Sequence, residues 1–307
     1  MYDIIVMGSI NMDVIVESYG LPKRGNNDLC KSIKTAAGGK GNNQAVSAAR
    51  YGKKVCFIGC VGNDDSGRQL RENLRRRGVD DTYMLVKEGQ NTGSCVAIIE
   101  PSGDNTMMGC DGANTSFGAD DVSHILEQID GKILLIQQET SKESVLAAMR
   151  IARAKGMYVI LDPAPVTMIN PEAFPYADLI VPNSNETRHI TGIEVSDEKS
   201  ALEAARKIHS MGVRNVIVKM GGNGCLLSQD EKTVFIPSLP VKAVDTVGAG
   251  DCFAGALANH LIDDMTDLES AVRFAQVVAG IKVSRFGGHD AIPALDEVKS
   301  VLSDLTV

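Results

Sequence analysis

The strongest constraint on the fold is a rhythm of apolar runs. YDIIVMG (2–8), KVCFIGCVG (54–62), KILLIQ (132–137), YVILDP (158–163), ADLIVPN (177–183) and NVIVKMG (215–221) are short, β-branched and almost continuously apolar. A strand that is apolar on both faces must be covered on both, as in a parallel sheet between helical layers. Amphipathic stretches lie between the runs: NNQAVSAARYG (42–52), DSGRQLRENLRRRG (65–78), SKESVLAAMRIARAKG (141–156) and KSALEAARKIHSMG (199–212). Several end in glycine after a basic last turn, the usual helix stop. The alternation predicts right-handed crossovers and an α/β fold, a doubly wound, mostly parallel central sheet with helices on both sides.

Two segments break the rhythm. Residues 14–36 and 92–109 carry turn signals, as in EPSGDN, and strand-like alternation without a helix. They read as β-hairpins set apart from the main sheet, together forming a small β-sheet lid. The division expected is an α/β core of residues 1–13, 37–91 and 110–307, with a lid of 14–36 and 92–109. The tail, 250 to 304, reads as mostly helix. At 307 residues the chain can bury one large core with such an appendage.

Composition narrows the function. A formal charge of −8, 4% aromatic residues and no tryptophan argue against a nucleic-acid binder, which needs a basic stripe and stacking rings. No run approaches the ~18 apolar residues of a membrane span. The N-terminal segment is interrupted by Asp3, Asn11 and Asp13 and reads as a strand, not a signal peptide. Seven scattered cysteines without a CxxC pair read as reduced thiols, so a cytoplasmic location is expected. The five histidines form no HExxH and join no cysteine cluster, which disfavours zinc.

Polar groups cluster where the strands run out, which is where open α/β sheets bind ligands. GSINMD offers Asn11 and Asp13, two apart and on one side of an extended chain, suited to gripping vicinal hydroxyls or to stabilising a turn. AAGGKGNNQA (36–45) places glycines, Lys40 and Asn43 at a helix entry; it is not a Walker A loop. Strand ends also bring Ser9, Gln137, Gln138, Glu139 and Asp162. PNSNE sets Asn183 and Glu186 three apart at a helix start, either a capping box or a carboxylate for water-mediated Mg²⁺. KMGGNG (219–224) is a glycine turn that either follows a nucleotide or closes a hairpin. In DTVGAGD (245–251), Gly248, Ala249 and Gly250 open a helix whose free N–H groups suit an anion. Asp251 then stands where an anion would be repelled. It reads either as a helix cap or as a base beside a phosphate, and Asp245 adds a second carboxylate six residues earlier.

The chain resembles the ribokinase-like (phosphofructokinase-B-type) carbohydrate kinases. DTVGAGDCFAGALA (245–258) matches their C-terminal signature and GGKGNNQA their N-terminal one. GSINMD, the strand-end glutamate, DPAP, the asparagine-x-x-glutamate motif and the terminal helices follow in family order, so the likeness spans essentially the whole chain. It implies a three-layer α/β/α sandwich with a β-sheet lid that often forms a dimer contact. It also implies ATP-dependent phosphorylation of the 5-hydroxyl of ribose, with a different sugar, a nucleoside or a non-catalytic sugar-binding regulator as alternatives. Carried over by position, the catalytic base is Asp251, with an anion hole at Gly248, Ala249 and Gly250. Sugar contacts are Asn11, Asp13, Gly39, Lys40, Asn43, Glu139 and Asp251 itself. ATP contacts are Asn183, Lys219, Gly221, Gly222, Gly224, Gly250 and Gln276. Mg²⁺ is expected near Glu186 through water. A monovalent cation, K⁺ by preference, falls to Asp245, Val247, Lys282, Arg285, Gly287 and Ala291, mostly through carbonyl oxygens. An amide at Asn11 favours a sugar with its full set of hydroxyls. Two departures stand out: Gly25-Asn26-Asn27 where the family's lid often has Gly-Glu-Thr, and Lys219 at a position usually small or hydroxylated.

Overall fold

The computed structural model describes residues 1–102, 104–229 and 232–305, the side chain of Asn105 aside. Residue 103 of the expected lid and residues 230, 231, 306 and 307 of the expected core lie outside the described residues. Among the described residues nine strands form one sheet, in the order Lys232–Ile236, Cys225–Gln229, Asn215–Lys219, Leu179–Ile180, Tyr158–Asp162, Gly131–Gln137, Tyr2–Met7, Val55–Ile58 and Val79–Asp80. The first two pair antiparallel and the rest parallel. Along Tyr2–Met7, Ile4 and Val6 enter one core and Ile5 and Met7 the other, so the strand is apolar on both faces because both are covered. The chain winds outward in both directions from this strand. The carboxyl end of Tyr2–Met7, beside that of Gly131–Gln137, is therefore the switch point where such sheets form a crevice.

The run KVCFIGCVG, expected as one strand, is two. It breaks after Ile58 because Gly59 crosses Gly8 so closely that a Cβ on Gly59 would lie 2.7 Å from the Gly8 carbonyl oxygen. Cys60–Gly62 then leaves the main sheet and pairs with Leu85–Lys87.

The lid is a separate four-stranded sheet, ordered Cys30–Gly38, Asn11–Ser18, Gly93–Ile99 and Asn105–Cys110. Two antiparallel hairpins are joined by parallel pairing of Asn11–Ser18 with Gly93–Ile99. The first lid strand begins at Asn11, three residues before the expected boundary, because Asn11 already pairs with Gly38 and Gly93. Asn11 and Asp13 thus belong to a strand and not to a turn.

Helix starts fall into two kinds. Asp64, Ser141 and Asp267 each cap their helix with a side-chain oxygen, accepting from Gly67, Ser144 and Ser270 amides at 2.8, 3.1 and 2.9 Å. The helices Lys40–Ala49 and Ala249–Leu261 instead start after Gly39 and Gly248, and neither has a side-chain cap. These two helices pack directly on one another. Ser47 Oγ donates to the Cys252 carbonyl at 2.8 Å, and Asn259 Nδ2 donates to the Ala48 carbonyl at 2.6 Å. A Cβ on Gly255 would meet the Gln44 carbonyl oxygen at 2.5 Å and Ser47 Cβ at 2.6 Å. We therefore expect Gly255→Val to destabilise the fold by about 1–3 kcal/mol or more in urea unfolding, since backbone cannot move aside as a side chain would. An unchanged midpoint would show that the two helices are not held this closely.

Candidate active site

The starts of Lys40–Ala49 and Ala249–Leu261 meet at the crevice, where Asn43 on one reaches Asp251 on the other. Gly39 has φ 90°, and a Cβ there would lie 2.7 Å from Ile10 Cα, so only glycine lets the chain turn into the Lys40 helix. Gly248, with φ 71°, makes the equivalent turn into the Ala249 helix. Of the three expected anion-hole residues, Ala249 donates its N–H back to the Thr246 carbonyl at 3.2 Å. Gly248, Gly250 and Asp251 remain as the first-turn amides without a helical partner.

Asp251 is the third residue of its helix and does not cap it. Its carboxylate leaves the helix axis and accepts from Asn43 Nδ2 at 3.0 Å and Gln44 Nε2 at 3.1 Å. Gln44 Nε2 also donates to Asp162 at 2.8 Å, and Gln44 Oε1 accepts from Gln137 at 2.6 Å. His289 Nε2 lies 2.9 Å from Asn43 Oδ1, an acceptor-only atom, which fixes the amide so that its Nδ2 faces Asp251. Burial raises the Asp251 pKa to about 6, with Asp162 adding to the rise and Lys40, Asn43 and Gln44 opposing it. A carboxylate of that basicity, fixed by two donors and next to free amides, has the properties of a general base.

On the expected sugar side, Ser9 Oγ donates to Glu139, and the Lys40 backbone N–H donates to Ser9 Oγ at 3.0 Å. Asn11 Oδ1 accepts from Asn114 Nδ2 at 2.8 Å, which leaves the Asn11 amide nitrogen as a donor. Burial and the nearby Glu139 raise the Asp13 pKa to about 6. Burial alone would depress the Lys40 ammonium, yet its pKa is raised, because the carboxylates of Asp251, Glu139, Asp162 and Glu186 surround it. Lys40 therefore ties the expected sugar residues to the base. Gln138 is turned away, exchanging hydrogen bonds with the Asn170 backbone.

On the other side of Asp251 lies a cavity of about 440 Å³ lined by Asn183, Lys219, Gly221, Gly222, Gly224, Gly250 and Gln276, with an apolar wall that includes Ala279 and Val283. The KMGGNG segment both closes the hairpin between Asn215–Lys219 and Cys225–Gln229 and forms this cavity's rim. Its size suits a small-molecule cofactor. Lys219 Nζ lies 3.4 Å from Asp162, 5.9 Å from the Phe253 ring centroid and 3.7 Å from where a Gly250 Cβ would be. The unusual lysine thus adds positive charge beside the anion hole. Asn183 and Glu186 form the full capping box: Glu186 N–H donates to Asn183 Oδ1 at 2.9 Å, and Asn183 N–H to Glu186 Oε2 at 2.7 Å. Burial and Asp162 raise the Glu186 pKa. Among the described residues no group of three or more His, Cys, Asp or Glu side chains could hold a metal directly. One buried carboxylate with Asp162 nearby fits a hydrated Mg²⁺ reached through water, not an all-protein cage.

Where a monovalent cation was expected, Lys282 and Gly287 meet the Asp245–Val247 loop, and the carbonyl oxygens of Asp245 and Val247 already have a cationic partner from the chain itself. Lys282 was expected to offer a carbonyl oxygen and instead inserts its ammonium group. Lys282 Nζ donates to the Asp245 carbonyl at 3.1 Å and to the Val247 carbonyl, and Asp245 Oδ2 lies 3.7 Å away. The Arg285 guanidinium turns to Glu297, and Gly287 donates its N–H to Asp245 Oδ2 at 3.3 Å. Ala291 is buried, with its N–H on the Gly288 carbonyl.

Gln44, Asn114 and His289 are site residues that the sequence reading missed. Only Gln44 had a signal, its place directly after Asn43 in the glycine-lysine motif; Asn114 and His289 arrive from distant short 3-10 helices, Gly112–Ser116 and His289–Ala291.

Comparison with known proteins agrees with this geometry. Residues 1–295 match the pfkB family carbohydrate kinase model. The chain is 35% identical over 298 residues to the ribokinase of Haemophilus influenzae, covering 97% of each chain. It is 36% identical over 304 residues to that of Bacillus subtilis, covering 99% of this chain and 100% of the relative. The solved Arabidopsis thaliana ribokinase complexed with ribose and ATP superposes with a TM-score of 0.91 at 30% identity, covering 98% of both chains. A doubly wound sheet with a separate lid, a buried carboxylate at an uncapped helix start and a family match over nearly the whole chain together place this protein in the pfkB family of carbohydrate kinases.

Proposed function

We propose that the chain transfers the γ-phosphoryl group of ATP to the 5-hydroxyl of ribose, giving ribose 5-phosphate and ADP. The observation that carries this reading is Asp251, held by Asn43 and Gln44 directly after Gly250, which lines the 440 Å³ cavity. In the proposed reaction Asp251 accepts the proton of the primary hydroxyl as its oxygen attacks phosphorus. The amides of Gly248, Gly250 and Asp251, with the Lys219 ammonium, stabilise charge spreading over the transferring group. Asn11, Asp13, Glu139 and the Lys40 segment hold the sugar hydroxyls. The 219–224 turn and the slot beside Gln276 take the nucleotide. Mg²⁺, held by Glu186 through water, would neutralise phosphate charge. A K⁺ requirement does not follow from this arrangement, because Lys282 fills the cradle. The seven unpaired cysteines accord with a cytoplasmic location, which belongs to this proposal.

Asp251→Asn keeps the shape and removes the base. Turnover of ribose, followed as ADP release, is expected to fall by about 10²–10⁴ while ribose affinity changes little. Full activity in this variant would remove Asp251 from the mechanism. The pH dependence has a definite sign. Because the Asp251 and Asp13 carboxyls protonate near 6, kcat/KM should decline as pH drops through about 6. Asn43→Ala removes a donor that favours the carboxylate, so this acid limb should move to higher pH.

Asn11→Ala should weaken ribose more than 2-deoxyribose, measured as kcat/KM with each sugar. Equal losses would mean that Asn11 does not read the hydroxyl that distinguishes them. The proposal includes a homodimer through the lid. On the face opposite Asp13, Ile33 is 63% exposed and Met108 79%, with Val14, Val16 and Val96 between them. Such a contiguous apolar patch suits a subunit contact. Met108→Glu should convert a dimer to a monomer in light scattering, and a wild-type chain that is monomeric at micromolar concentration would remove the dimer from the proposal.

A further inference from the structure

Lys282 raises a question that its expected role does not answer. It sits in the last turn of the helix Leu268–Val283, is 1% exposed, and is among the largest fully buried side chains. A buried ammonium needs oxygen partners, and here all come from one short loop: the carbonyls of Asp245 and Val247 and, farther off, the Asp245 carboxylate. That loop runs directly into Gly248, so the peptide units whose carbonyls face Lys282 immediately precede the amides of the anion hole. The loop is pinned from the same side at further points. Val244 and Asp245 N–H groups donate to the Val283 carbonyl at 2.8 and 3.1 Å, and Gly287 N–H to Asp245 Oδ2.

We propose that the Lys282 ammonium is a built-in monovalent cation that orients the 245–247 loop, and with it the anion hole, so that this kinase works without added K⁺. Lys282 touches neither substrate nor cofactor, so it is a positioning residue. An ammonium group resembles K⁺ in charge and in accepting carbonyl oxygens as neighbours, but it is covalently tethered and always present. The consequence for phosphoryl transfer rests on the kinase reading above; the occupancy of the loop by Lys282 does not.

The test compares wild type, Lys282→Ala and Lys282→Met in KCl, NH₄Cl and tetramethylammonium chloride at equal ionic strength, by ADP release with ribose and by thermal unfolding. Wild type should show the same turnover and the same midpoint in all three salts. Lys282→Ala opens a cation-sized space. Its turnover in tetramethylammonium should drop by about tenfold or more, up to the roughly 10²–10³ of losing one oriented donor outright, and K⁺ or NH₄⁺ should restore it and raise its midpoint. Lys282→Met fills the space without charge and should stay impaired in every salt. Strong K⁺ activation of wild type, an unimpaired Lys282→Ala, or a folded Lys282→Ala that no cation rescues would each overturn the proposal. If wild type turns over no ribose in any salt, the ribose reading fails. The thermal shifts then decide the Lys282 proposal alone: a K⁺-dependent midpoint confined to Lys282→Ala supports it, and one in wild type overturns it. Should Lys282→Ala not fold, K⁺ independence of wild type together with an impaired Lys282→Met supports it, and K⁺ dependence of wild type overturns it.

Discussion

The close packing of the helices Lys40–Ala49 and Ala249–Leu261 governs the rest of the site. Each start is glycine-turned and lacks a side-chain cap from its own N-cap residue; the first gives its Lys40 N–H to Ser9 Oγ, and the second leaves its Gly250 and Asp251 amides without a helical partner. Gly255, Ser47 and Asn259 bring the axes close enough for Asn43 and Gln44, on one helix, to reach Asp251 on the other. The Asp251 carboxylate and the amides that orient it are thus held by rigid elements, the kind of support that keeps a site's geometry within tolerance. The lid, in contrast, contributes Asn11 and Asp13 from a separate sheet.

Charge balance follows from that packing. Asp251, Asp162, Glu139 and Glu186 surround Lys40, and Lys219 approaches Asp162 from the cavity side. Burial penalises every one of these ions, and their mutual attraction offsets part of the cost. The balance raises the Asp251 pKa to about 6, so the carboxylate is ionised at neutral pH yet basic enough to accept a proton. Lys219 thus places positive charge within reach of Gly250 as well as of Asp162.

Strand rhythm, lid and helical tail could be read from the sequence because each rests on local periodicity and turn chemistry. Asp251 could be singled out because an acid next to three small residues is a poor choice for an anion site and a good one for a base. Whether it capped its helix was decided only by the direction of its carboxylate, which depends on how two helices separated by some 200 residues pack. Asn114 and His289 were invisible for the same reason: one amide and one imidazole carry no pattern until distant segments deliver them. Lys282 shows a different limit. Its position in the chain pointed to the right neighbourhood, but whether backbone or side chain faces the loop depends on a helix's rotation about its own axis, which no motif encodes.

The bare helix starts also set a boundary on how this scaffold can be made more robust. A serine or aspartate cap at either start would add about 1 kcal/mol in an ordinary helix. Here the positive φ at Gly39 and Gly248 resists any side chain, and at the second start a capping oxygen would occupy the amides of the proposed anion hole. Thermal hardening of this enzyme, in the laboratory or over generations, must therefore be found in its outer helices and loops, with these two turns left unimproved.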